Sequence, residues 1–348
     1  MSKRILVTPL NWGLGHATRC VPIIDALVSF GFEPIIGSDG SALSLLKKEF
    51  HDLRFIELPS YNISYPKKGA HLKFKLLTNT TKILKAIQSE NELVKRLVDK
   101  NEINGIISDN RFGVYNKVIP SVYLTHQLNV LSGNSTWLST KLHQKVVKKF
   151  DECWVPDCEG ENNLSGQLGH VNKKLIPIKY IGPLSRFNKK ITSKKYSLMV
   201  LLSGPEPQRS ILEEKLLSEL KYYKDSVIFI KGIIESEQRL TVQNNLRIYN
   251  YMTSSELETT ISESDIVLSR SGYTTVMDLA KLEKKAFFIP TPGQAEQIYL
   301  AEKFQKEGIA PFCYQDVFNV EKLNEVTQFR GFSDIESNTN YEDLFSLF

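Results

Sequence analysis

The sequence is poor in the features that mark a metal centre, a disulfide scaffold or a membrane span. Its 348 residues include four cysteines, Cys20, Cys153, Cys158 and Cys313, and no two form a Cys-x-x-Cys pair. Neither a zinc site of that type nor a disulfide framework is predicted, and a reducing cytoplasm is the expected setting. The first apolar run, Ile5-Leu6-Val7, stops at Pro9, far short of a signal-peptide core, and no run approaches the roughly 20 residues of a transmembrane helix. No Asp-x-Asp motif follows a predicted strand, and there is no short-period repeat or low-complexity stretch. The excess of basic residues is small, 44 against 39 acidic, for a net charge of +5; spread over this length it gives no reason to expect nucleic acid.

What is present is alternation. Short apolar runs alternate with helix-length amphipathic stretches, the pattern of parallel sheets with helical crossovers. In the first half the strands are predicted at Arg4–Thr8, Glu33–Gly37, Arg54–Leu58, Gly105–Ser108, Ser121–Leu124 and Glu152–Val155. Helices are predicted near 18–30, 41–50, 73–99 and 136–149. A polar segment, 185–195, precedes a fresh strand at Ser197–Leu202, and the alternation then repeats to about residue 305. The predicted class is α/β, with two doubly wound Rossmann-like domains facing across a cleft: 1–186, 187–330, and a C-terminal segment 331–348 that returns to the first domain. In such sheets ligands bind beyond the carboxyl ends of the strands, which directs attention to the loops that follow them.

Three of these loops carry chemistry. The first runs Trp12-Gly13-Leu14-Gly15-His16-Ala17-Thr18-Arg19 and opens onto a helix. Gly13 and Gly15 allow close backbone approach to a ligand or simply form a tight turn. A dinucleotide fingerprint would need glycine where Thr18 stands; Asp39, after the second strand, keeps that alternative open as a ribose-binding acid. His16, at the first helical turn above the strand ends, is well placed for proton transfer. In the second loop, Ser203-Gly204-Pro205-Glu206-Pro207-Gln208-Arg209, the choice is between a diphosphate cradle with Arg209 as counter-charge and a proline-stiffened turn. The third, Ser269-Arg270-Ser271-Gly272-Tyr273-Thr274-Thr275, leads into a helix carrying Asp278. Small residues at that junction open a helix N-terminus to phosphate, and Asp278, about one turn in, is placed to accept from a sugar diol.

These loops resemble the donor-binding region of GT-B glycosyltransferases, especially the peptidoglycan N-acetylglucosaminyltransferase family (family 28) and its UDP-sugar-using relatives. The resemblance implies that Ser271, Gly272 and Thr274, with Ser269, Arg270 and Thr275 beside them, hold the donor diphosphate. It implies further that Asp278, where the family usually has glutamate, holds the ribose, that Tyr251 and Met252 cradle the base, and that Gln297, with Gln294, touches the donor sugar. His16 becomes the candidate base for an acceptor hydroxyl, oriented by Asp109 in Ser108-Asp109-Asn110-Arg111; Asp109 also reads as a helix cap. Trp12, Arg19, Asn110, Arg111, His126 and Gln127 make up the acceptor side. His51, His71, His143 and His170 fall in polar surroundings and receive no role. The implied reaction is inverting, metal-independent transfer from a nucleotide sugar, UDP-linked on the family pattern, to a hydroxyl. The alternatives are a UDP-sugar 2-epimerase and a non-catalytic nucleotide-sugar-binding protein.

The surplus charge is concentrated. Lys67 to Ser89 contains six lysines and no acidic residue, interleaved with apolar side chains. That pattern suits a helix resting on an anionic membrane, which would fit a lipid-linked acceptor, and it equally suits a helix packed on its own domain.

Overall fold

The computed structural model describes residues 2–61, 80–131, 136–171, 176–204, 206–233, 235–333, 335 and 339–348. The described chain divides into two units, one made of 2–61, 80–186 and 339–348, the other of 187–335.

In the first unit seven parallel strands stand in the order β3-β2-β1-β4-β5-β6-β7: β1 Arg4–Pro9, β2 Glu33–Ser38, β3 Arg54–Glu57, β4 Gly105–Asp109, β5 Ser121–Leu124, β6 Glu152–Val155 and β7 Ile178–Tyr180. Residues of β4 and β5 are buried throughout, as the continuous apolar runs of a sheet covered on both faces require. The helices are α1 Gly15–Ser29, α2 Gly40–Glu49, α3 Thr80–Asp99 and α4 Thr136–Val147. The order reverses at β1, which pairs with β2 on one side and β4 on the other, so Pro9 lies opposite Asp109. The loops after β1 and β4 therefore emerge side by side, the position at which doubly wound sheets bind ligands.

Arg111 fastens those loops together. It is fully buried, forms ion pairs with Asp39 and with Glu90 on α3, and donates to the carbonyls of Pro9 and Pro59, each at 3.1 Å. Tyr61 donates to the second Glu90 oxygen at 2.8 Å. One guanidinium thus joins the ends of β1, β2 and β3 to its own loop. This corrects two expectations: Arg111 faces protein carboxylates rather than an acceptor, and Asp39, buried against a fixed cation, is not free to bind a ribose.

The chain returns to this unit at its far end. The short helix α9, Tyr341–Phe345, sets Phe345 edge-on to Phe30 and Phe32 at 5.6 and 5.7 Å. Phe348 packs beside Trp154, and Lys3 donates to its carbonyl. Its ring lies so close to Gly105 that a Cβ there would collide with it, which makes glycine necessary at the start of β4.

The second unit has a six-stranded sheet in the order β10-β11-β9-β8-β12-β13: β8 Tyr196–Leu201, β9 Val227–Ile230, β10 Leu240–Gln243, β11 Leu246–Tyr249, β12 Ser264–Ser269 and β13 Lys285–Phe288. All pairs are parallel except β10 with β11. Its helices are α5 Gln208–Glu219, α6 Ser254–Ser262, α7 Tyr273–Lys281 and α8 Ala295–Lys306. Here the order reverses between β8 and β12, so their following loops are neighbours. The strands β7 and β10 are not among those predicted from the sequence; β10 is exposed along its whole length, and its apolar/polar alternation spans only four residues.

Candidate active site

His16 is the second residue of α1, and its Nδ1 lies 2.9 Å from Oδ1 of Asp109, the last residue of β4. No helix follows Asp109, so it is not a cap. Arg19, one turn beyond His16 and 1% exposed, donates from Nε to Asp109 Oδ2 at 2.7 Å and from Nη2 to Oδ1. The same guanidinium contacts Nδ1 of His126 at 3.0 Å and Nδ1 of His16 at 2.8 Å. Arg19 and His126, expected to meet an acceptor, are thus buried partners of the His16–Asp109 pair. Asn110, held in the left-handed region at φ +56°, donates to Asp109 at 3.3 Å and accepts from the Tyr123 hydroxyl at 3.0 Å.

Burial by itself would raise the Asp109 pKa, but the charges of Arg19 and His16 and their hydrogen bonds outweigh it and hold the carboxyl well below the usual range. Burial is also the largest influence on His16 and lowers its pKa from 6.5, opposed by Asp109 and reinforced by Arg19. At neutral pH the outcome is an ionised Asp109 beside a neutral imidazole. The His16 side chain remains 16% exposed, and no hydrogen bond from the described residues engages its Nε2, which suits a base that must meet a substrate proton.

Trp12 stands 38% exposed in the loop before His16. Gly13 adopts φ +83°, and nothing lies within 4 Å of the place a Cβ would take, so backbone conformation rather than crowding requires glycine there. Gly13 and Gly15, expected to bind donor, lie in the first unit beside His16. Gln127 is half-buried, its backbone N–H donating to Thr125 Oγ1 at 3.1 Å.

In the second unit the expected donor residues separate into two groups. Ser203 and Gly204 after β8 are exposed, and Tyr251, Met252, Gly272, Thr274, Thr275, Asp278, Gln294 and Gln297 are partly exposed, all at or beyond strand ends. Gly272 caps α7 without a side-chain acceptor, so the first-turn amides of that helix are available to an anion. Gln297 accepts from the Thr291 amide at 2.8 Å through Oε1.

The other group is turned inward. Arg209 is held by Glu206 at 2.7 Å, by Glu213 and by the Lys231 carbonyl, so its charge is neutralised within the protein and is not a counter-charge for diphosphate. Arg270 donates to the carbonyls of Ile289, Pro290 and Gln208 and to the Gln315 side chain, tying three loops together. Ser269 and Ser271 are buried, with Ser271 donating to the Gln297 carbonyl at 2.7 Å. These residues shape the site without lining it.

The histidines left without a role are less bland than their sequence neighbourhoods. His143 packs against Phe112 and Tyr123, and burial, then His126, pushes its pKa down to about 4. His170 stacks on Tyr180 at 4.6 Å and meets Asp157 at 3.3 Å. His51 is exposed, and His71 lies outside the described residues. Sequence reasoning also missed Glu90, Tyr61 and the Cys20 thiol 3.6 Å from Asp109. Among the described residues no group of three or more His, Cys, Asp or Glu side chains is arranged to hold a metal ion.

Residues 208–336 match the glycosyltransferase family 28 C-terminal domain. The chain carries a family 28 glycosyltransferase domain. Curated relatives extend the likeness over both units of this glycosyltransferase. It is 25% identical over 354 residues to the UDP-N-acetylglucosamine–N-acetylmuramyl-(pentapeptide) pyrophosphoryl-undecaprenol N-acetylglucosamine transferase of Clostridium perfringens, covering 97% of this chain and 92% of the relative. The enzyme of the same description from Clostridium tetani is 26% identical, covering 93% and 87%. Among solved structures, a kitacinnamycin glycosyltransferase aligns with a TM-score of 0.64 at 13% identity, covering 93% of this chain and 89% of the other. MurG of Acinetobacter baumannii aligns with a TM-score of 0.53 at 15% identity, covering 94% and 90%. The glycosyltransferase has the GT-B fold.

Proposed function

We propose that this enzyme transfers N-acetylglucosamine from UDP to a hydroxyl of a saccharide carried on a polyprenyl diphosphate, with inversion at the anomeric carbon. The observation that carries the reading is the His16–Asp109 pair, with Nε2 of His16 open, in a chain whose second unit is a family 28 domain. The donor and acceptor classes rest on the relatives' described activity over nearly the whole chain.

In this reading the acceptor hydroxyl gives its proton to His16 Nε2 as its oxygen bonds to the anomeric carbon. The bond from that carbon to the diphosphate breaks, and UDP leaves with the electron pair. The imidazolium that forms is stabilised through Nδ1 by Asp109. The α7 N-terminus meets the negative charge that develops on the leaving group. Gly272 and Thr274 hold the diphosphate, Asp278 the ribose, Tyr251 and Met252 the base, and Gln297 the sugar. The reaction needs no metal in this scheme, so chelator should leave the rate unchanged.

The test is transfer from radiolabelled UDP-N-acetylglucosamine to a lipid-linked muramyl pentapeptide. Wild type is expected to yield product of inverted configuration, and His16→Ala to lose about 10²- to 10⁴-fold in kcat while UDP still raises its melting temperature. Retained configuration would sink the single displacement, and interconversion of UDP-sugars without acceptor would favour the epimerase.

A bilayer acceptor requires a membrane-facing surface. Much of the basic stretch, 67–79, lies outside the described residues; Lys82 and Lys85 fall on α3. The support comes instead from α4, where Trp137, Leu138 and Leu142 are 68%, 54% and 54% exposed. At helical spacing they share one face with Lys141 and Lys145, and the Lys141 ammonium lies 4.0 Å from the Trp137 ring centre. Apolar side chains flanked by lysines suit the interface of an anionic bilayer.

A further inference from the structure

We propose that Arg19 is a positioning residue that dictates which ring nitrogens of His16 and His126 carry protons. The proposal rests on the reading of His16 as the base and adds a control that the His16–Asp109 pair lacks on its own.

A guanidinium has five N–H groups and no lone pair to offer, and it stays protonated at any working pH. Any ring nitrogen facing one of its N–H groups must therefore supply a lone pair. Arg19 Nη1 lies 3.0 Å from His126 Nδ1, so that nitrogen is bare and the neutral His126 ring carries its proton on Nε2. His126 is thus presented as a donor through Nε2.

His16 is placed differently. Its Nδ1 lies 2.9 Å from Asp109 Oδ1, which only accepts, and 2.8 Å from Arg19 Nη2, which only donates. The neutral ring can satisfy one or the other. Donation to Asp109 leaves Nε2 bare and able to take a proton; acceptance from Arg19 puts the proton on Nε2 and disarms it. Arg19 therefore competes with Asp109 for the tautomer of the base.

Arg19 also limits what Asp109 can do. Its Nε and Nη2 occupy both carboxylate oxygens, a bidentate grip that fixes the carboxylate plane and offsets its charge. The groups facing this cluster are Arg19 and Cys20 from α1, Asp109 from β4 and His126 from the segment after β5. Of these, Arg19 and His126 oppose a second proton on His16 and Asp109 favours it. When Nε2 takes the acceptor proton, Nδ1–H must turn wholly to Asp109, and the Nη2 N–H loses that partner. Arg19 thus disfavours the doubly protonated His16 ring between turnovers, while Asp109 favours the tautomer whose Nε2 is bare.

Side-chain ¹⁵N spectra of the full chain, labelled at histidine and assigned by single substitutions, test this directly. In wild type, His126 is expected as the tautomer protonated on Nε2; finding its proton on Nδ1 overturns the proposal without any variant. In Arg19→Gln the His16 titration is expected to move up by about one pH unit or more, a tenfold change in protonation constant. The acidic limb of kcat/KM should move up with it. Arg19→Lys, which keeps the charge and loses the fork, is expected to hold the limb closer to wild type while freeing His126 to change tautomer. An unchanged His16 titration in Arg19→Gln overturns the proposal even if the variant is less stable. Failure of wild type to transfer sugar would count against the proposed reaction and leave the tautomer result standing.

Discussion

Asp109 carries its charge in a buried setting because donors surround it: both Arg19 contacts, the His16 ring and the Asn110 amide. An asparagine in its place fills the same volume but turns an NH2 group toward one of these donors and removes the anion that balances Arg19. Asp109→Asn is expected to lower kcat by about 10²- to 10⁴-fold and to cost about 3 kcal/mol or more of stability, since an uncompensated guanidinium stays buried. Single-turnover transfer and urea unfolding measure the two effects; a variant with normal kcat would remove Asp109 from the chemistry. The proximity of His16 and Asp109, 2.9 Å apart, was legible because both stand at the ends of adjoining strands. The arginines were not. Arg19, Arg111, Arg209 and Arg270 each come after a strand, and each hydrogen-bonds protein groups. Whether a guanidinium meets a phosphate or a carbonyl depends on the partner's position, which local sequence does not contain.

At the scale of elements, α3 shows a signal that was available and unused. Ile83, Ile87, Val94 and Leu97 mark an apolar stripe at spacings of three and four, and Glu90 sits on it. A carboxylate in such a stripe needs a buried cation, and Arg111 supplies it at 2.8 Å. The helix α4 has two distinct faces. His143 and Val147 pack inward, while Trp137, Leu138 and Leu142 point to solvent with the lysines. Replacing Trp137 and Leu142 together by glutamate should therefore leave the fold intact, because both side chains are mostly exposed, and should abolish flotation with vesicles containing anionic lipid. Equal flotation of variant and wild type would remove α4 as the membrane contact. The strand pattern was the most legible part of the fold, since buried parallel strands are continuous apolar runs. The exposed strand β10 was the least, because its alternation of Leu240 and Val242 with Thr241 and Gln243 is only four residues long.

At the scale of the whole molecule, the first unit is not built from one continuous stretch. Its sheet begins at Arg4, yet Phe345 and Phe348 complete the aromatic cluster around Phe30, Phe32 and Trp154. Deleting residues 340–348 is expected to lower the melting temperature by several degrees, and Phe345→Ala alone to cost about 3 kcal/mol. The loss should fall on the first unit, so UDP should still stabilise the second in a thermal-shift titration. An unchanged melting temperature would show that the aromatic cluster contributes nothing. This return of the chain also has a consequence for biosynthesis. Domains emerging from a ribosome usually fold in order, the N-terminal one first. Here the whole second unit is translated before α9, so on the nascent chain the surface of the first unit beneath Phe345 stays uncovered until α9 has cleared the exit tunnel.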